Sequence, residues 1–356
     1  MEFAAAQSRP AERLNGMKLL TCVIPCYNSA AYMEKAVASL LPGGDEMDIL
    51  IVDDGSTDAT GAIADRLAAA HPESVRVHHQ PNGGHGAALN FGIRDARGLF
   101  FKVVDSDDRV EPSLLPGLLD LLRQAAVSGN MPDLVVHDYV YDAEAKKKTF
   151  RVSYRGVIPS GRVISWDQTR RFHIWNQFMI HCLVYRTRLL RDRGYTLPEH
   201  TFYEDNLYIF QPLFWTKKLL YYPQPLHLYS VGRSDQSIYE STMLRRIDQN
   251  TSVITAMATT YRLSELETLP RHLRQYMINN VCGQLSSASV LHFLAEPEKG
   301  LPMNQKMWQT IRDFDSALCR RYRRNPLGWS CILPGRPGRK TLLFFFRVGQ
   351  KMIHMA

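Results

Sequence analysis

Hydrophobic and polar positions alternate in blocks over the first hundred residues. Apolar, β-prone runs at 18–24, 47–52, 74–79 and 99–104 are separated by stretches at 30–41, 58–70 and 87–96, whose apolar positions recur at helical spacing. Pro25 is expected to stop the first strand, Pro42-Gly43-Gly44 the first helix, and Ser56 or Thr57 to cap the second helix. Strand–helix alternation with short loops predicts an α/β fold, a mainly parallel sheet with helices on both faces. Ligands in such sheets sit beyond the C-terminal strand ends, which here carry the polar segments 25–28, 53–58 and 105–108.

Further along, 112–127 reads as a helix, 133–141 as a strand, 146–154 as an edge strand or hairpin, and 166–178 and 187–193 as helical. Glu204 and Asp205 precede an apolar-periodic segment to 214, near a helix N-terminus. Pro223 and Pro225 divide 219–222 from 226–229, which predicts two short strands. After 238 long helical patterns follow at 242–263, 271–294 and 303–323, and a Pro/Gly-rich linker at 325–338 leads to 339–355. The expected organisation is a disordered tail at 1–16, an α/β domain at 17–238 with halves at 17–110 and 111–238, and a helical region at 239–356.

Composition narrows the class. In 356 residues, 45% hydrophobic and 22% charged, there is ample core for a soluble protein and no apolar run long enough to span a bilayer. The N-terminal tail has no apolar centre, so it does not read as a secretory signal. Cys22, Cys26, Cys182, Cys282, Cys319 and Cys331 form no C-x-x-C pair, which predicts reduced thiols and a cytoplasmic setting. The net charge of +8 is concentrated at the C-terminus, where 301–356 holds eleven Lys/Arg against Asp313 and Asp315. The basic, aromatic run 339–347 either lies at a membrane interface, on the inner face, or packs its Phe stripe onto the helical region. No nucleic-acid module accompanies this charge, so no nucleic-acid partner is expected.

The segment with the densest chemistry is Phe100-Phe101-Lys102-Val103-Val104-Asp105-Ser106-Asp107-Asp108. A strand buried on both faces, broken only by Lys102, delivers three carboxylates to one end. Each pair repels by about 1 kcal/mol or more at surface dielectric. A divalent cation would relieve that repulsion, and hard oxygen ligands suit Mg²⁺ or Mn²⁺. An acidic turn without an ion is the other reading. Gly84-x-Gly86, between a strand and a helix, raises a dinucleotide-binding alternative, but that fingerprint should follow the first strand of its unit.

Together Val23-Ile24-Pro25-Cys26-Tyr27-Asn28, Ile51-Val52-Asp53-Asp54-Gly55-Ser56-Thr57-Asp58, Asn82-Gly83-Gly84-His85-Gly86-Ala87-Ala88-Leu89-Asn90-Phe91-Gly92, Val104-Asp105-Ser106-Asp107-Asp108 and Glu204-Asp205 resemble the inverting glycosyltransferases of family 2. The likeness is specific over 19–109 and extends to about 238. It implies the GT-A fold, Rossmann-like, with a C-terminal helical extension. It implies a nucleotide-sugar site formed by Pro25, Tyr27, Asn28, Asp53, Asp54, Asn82, Gly84, His85, Gly86, Asp105, Ser106 and Asp107, with Asp54 first among those facing the base. Asp105, Asp107 and Asp108 would hold Mg²⁺ or Mn²⁺ against the diphosphate. Glu204 and Asp205 would be catalytic, Asp205 as the general base. His227 and Arg233 fall where basic residues approach the diphosphate, and His173 and His181 read as local structure or acceptor-pocket residues. The implied partners are a nucleotide-sugar donor, UDP-linked first, and a saccharide or lipid-linked acceptor, in surface polysaccharide or glycan assembly. A non-catalytic sugar-nucleotide-binding partner is the alternative, and a nicotinamide oxidoreductase lacks its glycine-rich turn at 25–28.

Overall fold

The computed structural model describes residues 16–143, 148–173, 176–231 and 240–331, with scattered positions up to 347. The tail before 16, Arg233 and most of 339–355 lie outside the described residues, so the disordered-tail, Arg233 and membrane-helix expectations concern segments with no structural description.

The first half runs β1 (Leu20–Cys26), α1 (Met33–Leu40), β2 (Met47–Asp54), α2 (Thr60–Ala70), β3 (Val75–Gln80), α3 (His85–Asp95) and β4 (Phe100–Val103). A short β5 (Arg109–Val110) precedes α4 (Leu115–Val127), and β6 (Leu134–Ala143) pairs with β7 (Lys148–Val152) as the expected hairpin. Then come β8 (Ile164–Ser165), β9 (Leu183–Arg186), α5 (Thr187–Arg191), α6 (Asp205–Phe210) and β10 (Lys218–Ser230). The helical region holds α7 (Glu240–Arg245), α8 (Ile247–Ala258), α9 (Leu263–Leu266), α10 (Arg271–Leu294), α11 (Pro297–Phe314), α12 (Ser316–Arg323) and α13 (Pro326–Ser330).

Strand order in the sheet is β3-β2-β1-β4-β9-β6-β10-β5, with β7 beside β6 and β8 beside β10. The segment β3-β2-β1-β4 is parallel throughout, so its C-terminal ends share one edge. Beyond it the sheet is mixed: β9 runs antiparallel to both β4 and β6, while β6 and β10 are parallel. Side chains alternate between two cores. On β1, Leu20, Cys22, Ile24 and Cys26 join the cluster shared with α1 and α4, and Val23 joins the opposite one. That opposite cluster runs without a break from the sheet through α3 to α8, α10 and α11. None of the six cysteines is in a disulfide, and all are buried.

Four local expectations are corrected. Pro25 does not end β1; the strand continues to Cys26 because β4 pairs with β1 only as far as Val23, leaving the flank that needs no N–H. Pro223 and Pro225 do not split a strand but sit in two register shifts within β10. Among its described residues, the stretch expected to be helical at 166–178 holds only a short 3₁₀ turn, Trp166–Gln168, anchored by Trp166 Nε1 donating to Thr216 Oγ1 at 2.9 Å. The third long helical pattern breaks at Asp315, whose carboxylate accepts the N–H groups of Ala317 and Leu318 and so caps α12.

Candidate active site

The loops after β1 and β2 are bonded to each other. Asn28 adopts a left-handed conformation (φ 51°), donates its N–H to Ser56 Oγ at 3.0 Å and accepts the Thr57 N–H on Oδ1 at 2.8 Å. Ser56 and Thr57 are thus spent on this turn, and neither caps α2; Asp58 accepts the N–H of Thr60 instead. Ser29 Oγ lies 2.8 Å from Ser106 Oγ and ties the first loop to the acidic one. Tyr27 stands beside them with 53% of its surface exposed.

Asp53 and Asp54 are both buried and both engaged. Asp53 accepts the Ser56 N–H at 3.1 Å and pairs with His79 Nδ1 at 2.8 Å. Burial would raise its pKa, but these hydrogen bonds hold it below the ordinary carboxylate value. Asp54 Oδ1 accepts from Gln80 Nε2 and the Gly83 N–H, and Oδ2 from the Gly84 N–H at 2.7 Å. Asn82 donates to the Asp54 carbonyl at 2.9 Å. Asp54, expected first among the residues facing the base, turns its carboxylate onto the 82–86 loop and organises it. The glycines of that loop also serve contacts within the protein. A Cβ on Gly86 would stand 2.4 Å from the Pro198 carbonyl oxygen, and Gly84, at φ 86°, faces the His200 backbone.

His85, the first residue of α3, is the junction of the site. Its Nδ1 lies 2.5 Å from Glu204 Oε1 and its Nε2 3.2 Å from Asp105 Oδ1. Burial alone would lower its pKa, but the two carboxylates raise it well above the ordinary value, so the ring is an imidazolium. In return His85 holds Asp105 below the usual carboxylate range against the effect of burial. Acids about a hundred residues apart in the chain thus meet on one ring.

Glu204 and Asp205 sit at the start of α6, after Tyr203 in a left-handed conformation at φ 71°. Such backbone costs on the order of 1–3 kcal/mol in a non-glycine residue and is characteristic of functional sites. Asn206 Nδ2 donates to Asp205 Oδ1 at 3.1 Å, and Gln284 of α10 donates to Asn206 Oδ1 at 2.8 Å. Burial, then the Glu204 charge, push the Asp205 pKa up to about 7, with His85 pulling the other way. A carboxylate with that value can exchange protons near neutrality. A cavity of about 440 Å³ opens here, lined by His85, Asp105, Glu204 and Asp205 among others.

Asp108 points elsewhere. It is 2% exposed, its Oδ2 lies 2.8 Å from His227 Nε2, and its Oδ1 accepts the Ser230 N–H at 2.8 Å. Burial, with repulsion from Asp105 and Asp107, raises its pKa well above the ordinary value. His227 stacks on His181 with ring centroids 4.8 Å apart, and burial with the nearby Lys102 charge keeps both rings neutral. Lys102 is fully buried, 3.0 Å from His137 Nε2 and bonded to the His181 carbonyl; burial lowers its pKa to about 8. This buried basic layer beneath the acidic turn was not legible as such. Lys102 looked like an interruption in an apolar strand, and that interruption was its only signal. His173 is exposed and does not line the cavity, whereas His181 does.

The Glycosyl transferase family 2 model matches residues 21–192, the stretch that carries all of these motifs except Glu204-Asp205. Residues 21–192 are a family 2 glycosyltransferase domain. The Bacillus subtilis protein EpsH is 29% identical over 233 residues, covering 60% of this chain and 61% of EpsH. Glycosyltransferase GlyG of Streptococcus pneumoniae is 35% identical over 124 residues (34% of this chain, 39% of GlyG), and the chondroitin synthase of Escherichia coli 38% over 112 (31% and 16%). The chain thus spans less than two thirds of the length of each of these relatives. Among solved structures, S. aureus TarS 1–349 superposes with a TM-score of 0.61 at 16% identity, covering 93% of this chain and 92% of that one. The mannosyltransferase PcManGT of Pyrobaculum calidifontis, solved with GDP-Man and Mn²⁺, gives 0.51 at 17% identity, covering 92% and 87%. These likenesses extend the GT-A fold to the helical region, beyond the limits of the family match.

The donor set of this glycosyltransferase domain fits a divalent cation. Asp105, Ser106 and Asp107 remain partly exposed at the strand end, and Asp105 is held ionised. Asp108, His181 and His227 offer ligand atoms within 4.8 Å of one another directly below, with His181 Nε2 and His227 Nδ1 unpartnered. Of the expected trio Asp105, Asp107 and Asp108, Asp108 is turned into the buried imidazole cluster, bonded to His227. Among the described residues no helix is long and apolar enough to cross a membrane.

Proposed function

We propose that this protein transfers a sugar from a nucleoside diphosphate donor to an acceptor hydroxyl with inversion at the anomeric carbon. The observation that carries the reading is the His85 bridge, which joins the acidic turn to the pair Glu204-Asp205 around one cavity. Asp205 removes the proton from the acceptor hydroxyl as that oxygen attacks the anomeric carbon and the bond to the diphosphate breaks on the opposite face. Glu204, with its carboxylate on His85, is a positioning residue; the His85 charge screens the acids from one another. Asp105 and Asp107 would hold Mg²⁺ or Mn²⁺, which supplies compensation for charge on the departing diphosphate. The 25–28 turn, Asp53 and the 82–86 loop, fixed by Asp54, form the nucleoside wall, with the exposed Tyr27 ring available to stack on a base. A UDP-linked donor is our first assignment; TarS has been solved with UDP-GlcNAc. The acceptor would be a saccharide or lipid-linked saccharide of surface polysaccharide assembly, handled at the cytoplasmic side.

The test is metal-dependent turnover of nucleotide sugars by the unaltered chain and by Asp107→Ala. The variant should stay folded and lose turnover to the level seen with chelator. Full activity in the variant, or with chelator present, would reject the metal role. Binding of UDP and Mn²⁺ by calorimetry with no turnover of any donor would favour the non-catalytic partner.

A further inference from the structure

The cavity next to Asp205 has a second chemical character, set by carboxamides. Gln177, Asn206, Asn250, Asn280 and Gln284 all line it. Asn250 comes from α8, and Asn280 and Gln284 lie four residues apart on one face of α10. Two of these amides are bonded within the wall: Asn280 Nδ2 donates to Gln177 Oε1 at 2.5 Å, and Gln284 Nε2 donates to Asn206. The side-chain oxygens of Asn250 and Asn280 are buried without a partner in the protein, although both residues are about 95% buried (4% and 5% exposed). Buried polar atoms are almost always paired, so two unpartnered amide oxygens on one cavity point to a missing hydrogen-bond donor.

The charge around them restricts what that partner is. Among the described residues no Lys or Arg lines the cavity, while Asp105, Glu204 and Asp205 do. Arg246 lies over the Phe202 ring, 3.3 Å from its centroid, and is engaged there. A phosphate or carboxylate entering this cavity would meet three acids, and the cation on its described lining, His85, is already held between Asp105 and Glu204. A hydroxyl both donates and accepts, as a carboxamide does, so the two match in either amide orientation. Met179 and Ile209 add apolar surface suited to the C–H face of a sugar ring.

We propose that the acceptor end bound here is a neutral, hydroxyl-rich saccharide, and that Asn250 and Asn280 of the helical region determine this specificity. The inference rests on the glycosyl-transfer reading and names its acceptor class. It is tested with the full chain, Mn²⁺ and a UDP-sugar donor. The acceptors are neutral methyl glycosides and short neutral oligosaccharides, compared with the same sugars as phosphomonoesters or uronates. Donor hydrolysis without acceptor is measured alongside. Neutral acceptors should be used at least tenfold better in kcat/KM than their anionic counterparts. Asn280→Ala and Asn250→Ala should each raise the KM for the neutral acceptor about tenfold, the loss expected when a hydroxyl partner is removed. Asn280→Leu, close in size but without an acceptor oxygen, guards against a folding failure and should show the same rise. A chain that turns over donor but accepts anionic sugars equally well, or variants with unaltered KM, would overturn the inference alone. No donor turnover in the unaltered chain would overturn the transfer reading and this inference with it.

Discussion

The two walls of the cleft are built by different means. The proposed donor wall consists of loops at the ends of parallel strands, and its carboxylates are largely spent on backbone N–H groups: Asp54 on Gly83 and Gly84, Asp53 on Ser56. The acceptor wall consists of side chains from α6, α8 and α10, bonded amide to amide, with some capacity left over. The first wall is fixed by local turns within short stretches of chain. The second exists only once distant helices have docked. A rigid donor edge and a replaceable acceptor lining would let one transfer chemistry serve different acceptors.

Removing the joint between the walls should have the largest effect. His85→Ala leaves Glu204 buried opposite Asp105 and Asp205 without the intervening charge. Transfer should fall at least a hundredfold. Stability should drop by about 2 kcal/mol, the order expected for a buried charged group left unpaired, measured by denaturant unfolding. A variant with normal transfer would separate the walls and refute the bridge.

Next in size is a pH effect. Asp205 is raised to about 7 by burial and the Glu204 charge, and it acts only when ionised. Acceptor kcat/KM should therefore rise about tenfold per pH unit below 7 and level off above it. Loss of the His85 charge, which lowers this pKa, should move the curve to higher pH. A profile flat from pH 5 to 8 would place the proton elsewhere.

The smallest effect belongs to the donor wall alone. Asn28→Ala removes the Oδ1 acceptor of the Thr57 N–H and puts alanine at φ 51°. It should cost about 1 kcal/mol of stability and raise the donor Kd severalfold, with the acceptor KM unchanged. A change in acceptor KM would mean the walls are coupled through more than His85.

This contrast also explains what could be read from the chain. The parallel half was legible because each strand is a short apolar run closed by a polar turn, a local pattern. Asp105 and Asp107 stood out because carboxylates so close together demand an explanation. The part Asp54 plays in holding the 82–86 loop was not legible, since sequence gives no sign that Gly83 and Gly84 would turn their N–H groups onto it. Asp108 was grouped with its neighbours, although the chain reversal after Asp107 faces it toward His227, 119 residues away. Gly86 invited a ligand explanation, and the close Pro198 carbonyl, which leaves no room for a Cβ there, could not be foreseen from the sequence. Asn250 and Asn280 carried no motif at all, because carboxamides on amphipathic helices look like ordinary polar positions.

In the proposed reaction Asp205 is the base that faces the acceptor across from the donor. The most direct measurement is Asp205→Asn, an isosteric change, followed by donor binding in calorimetry and single-turnover transfer. Donor affinity should stay within about threefold, while transfer falls by roughly 10²-fold or more, the size typical of a lost general base. Transfer at the unaltered rate with the donor still bound would contradict it.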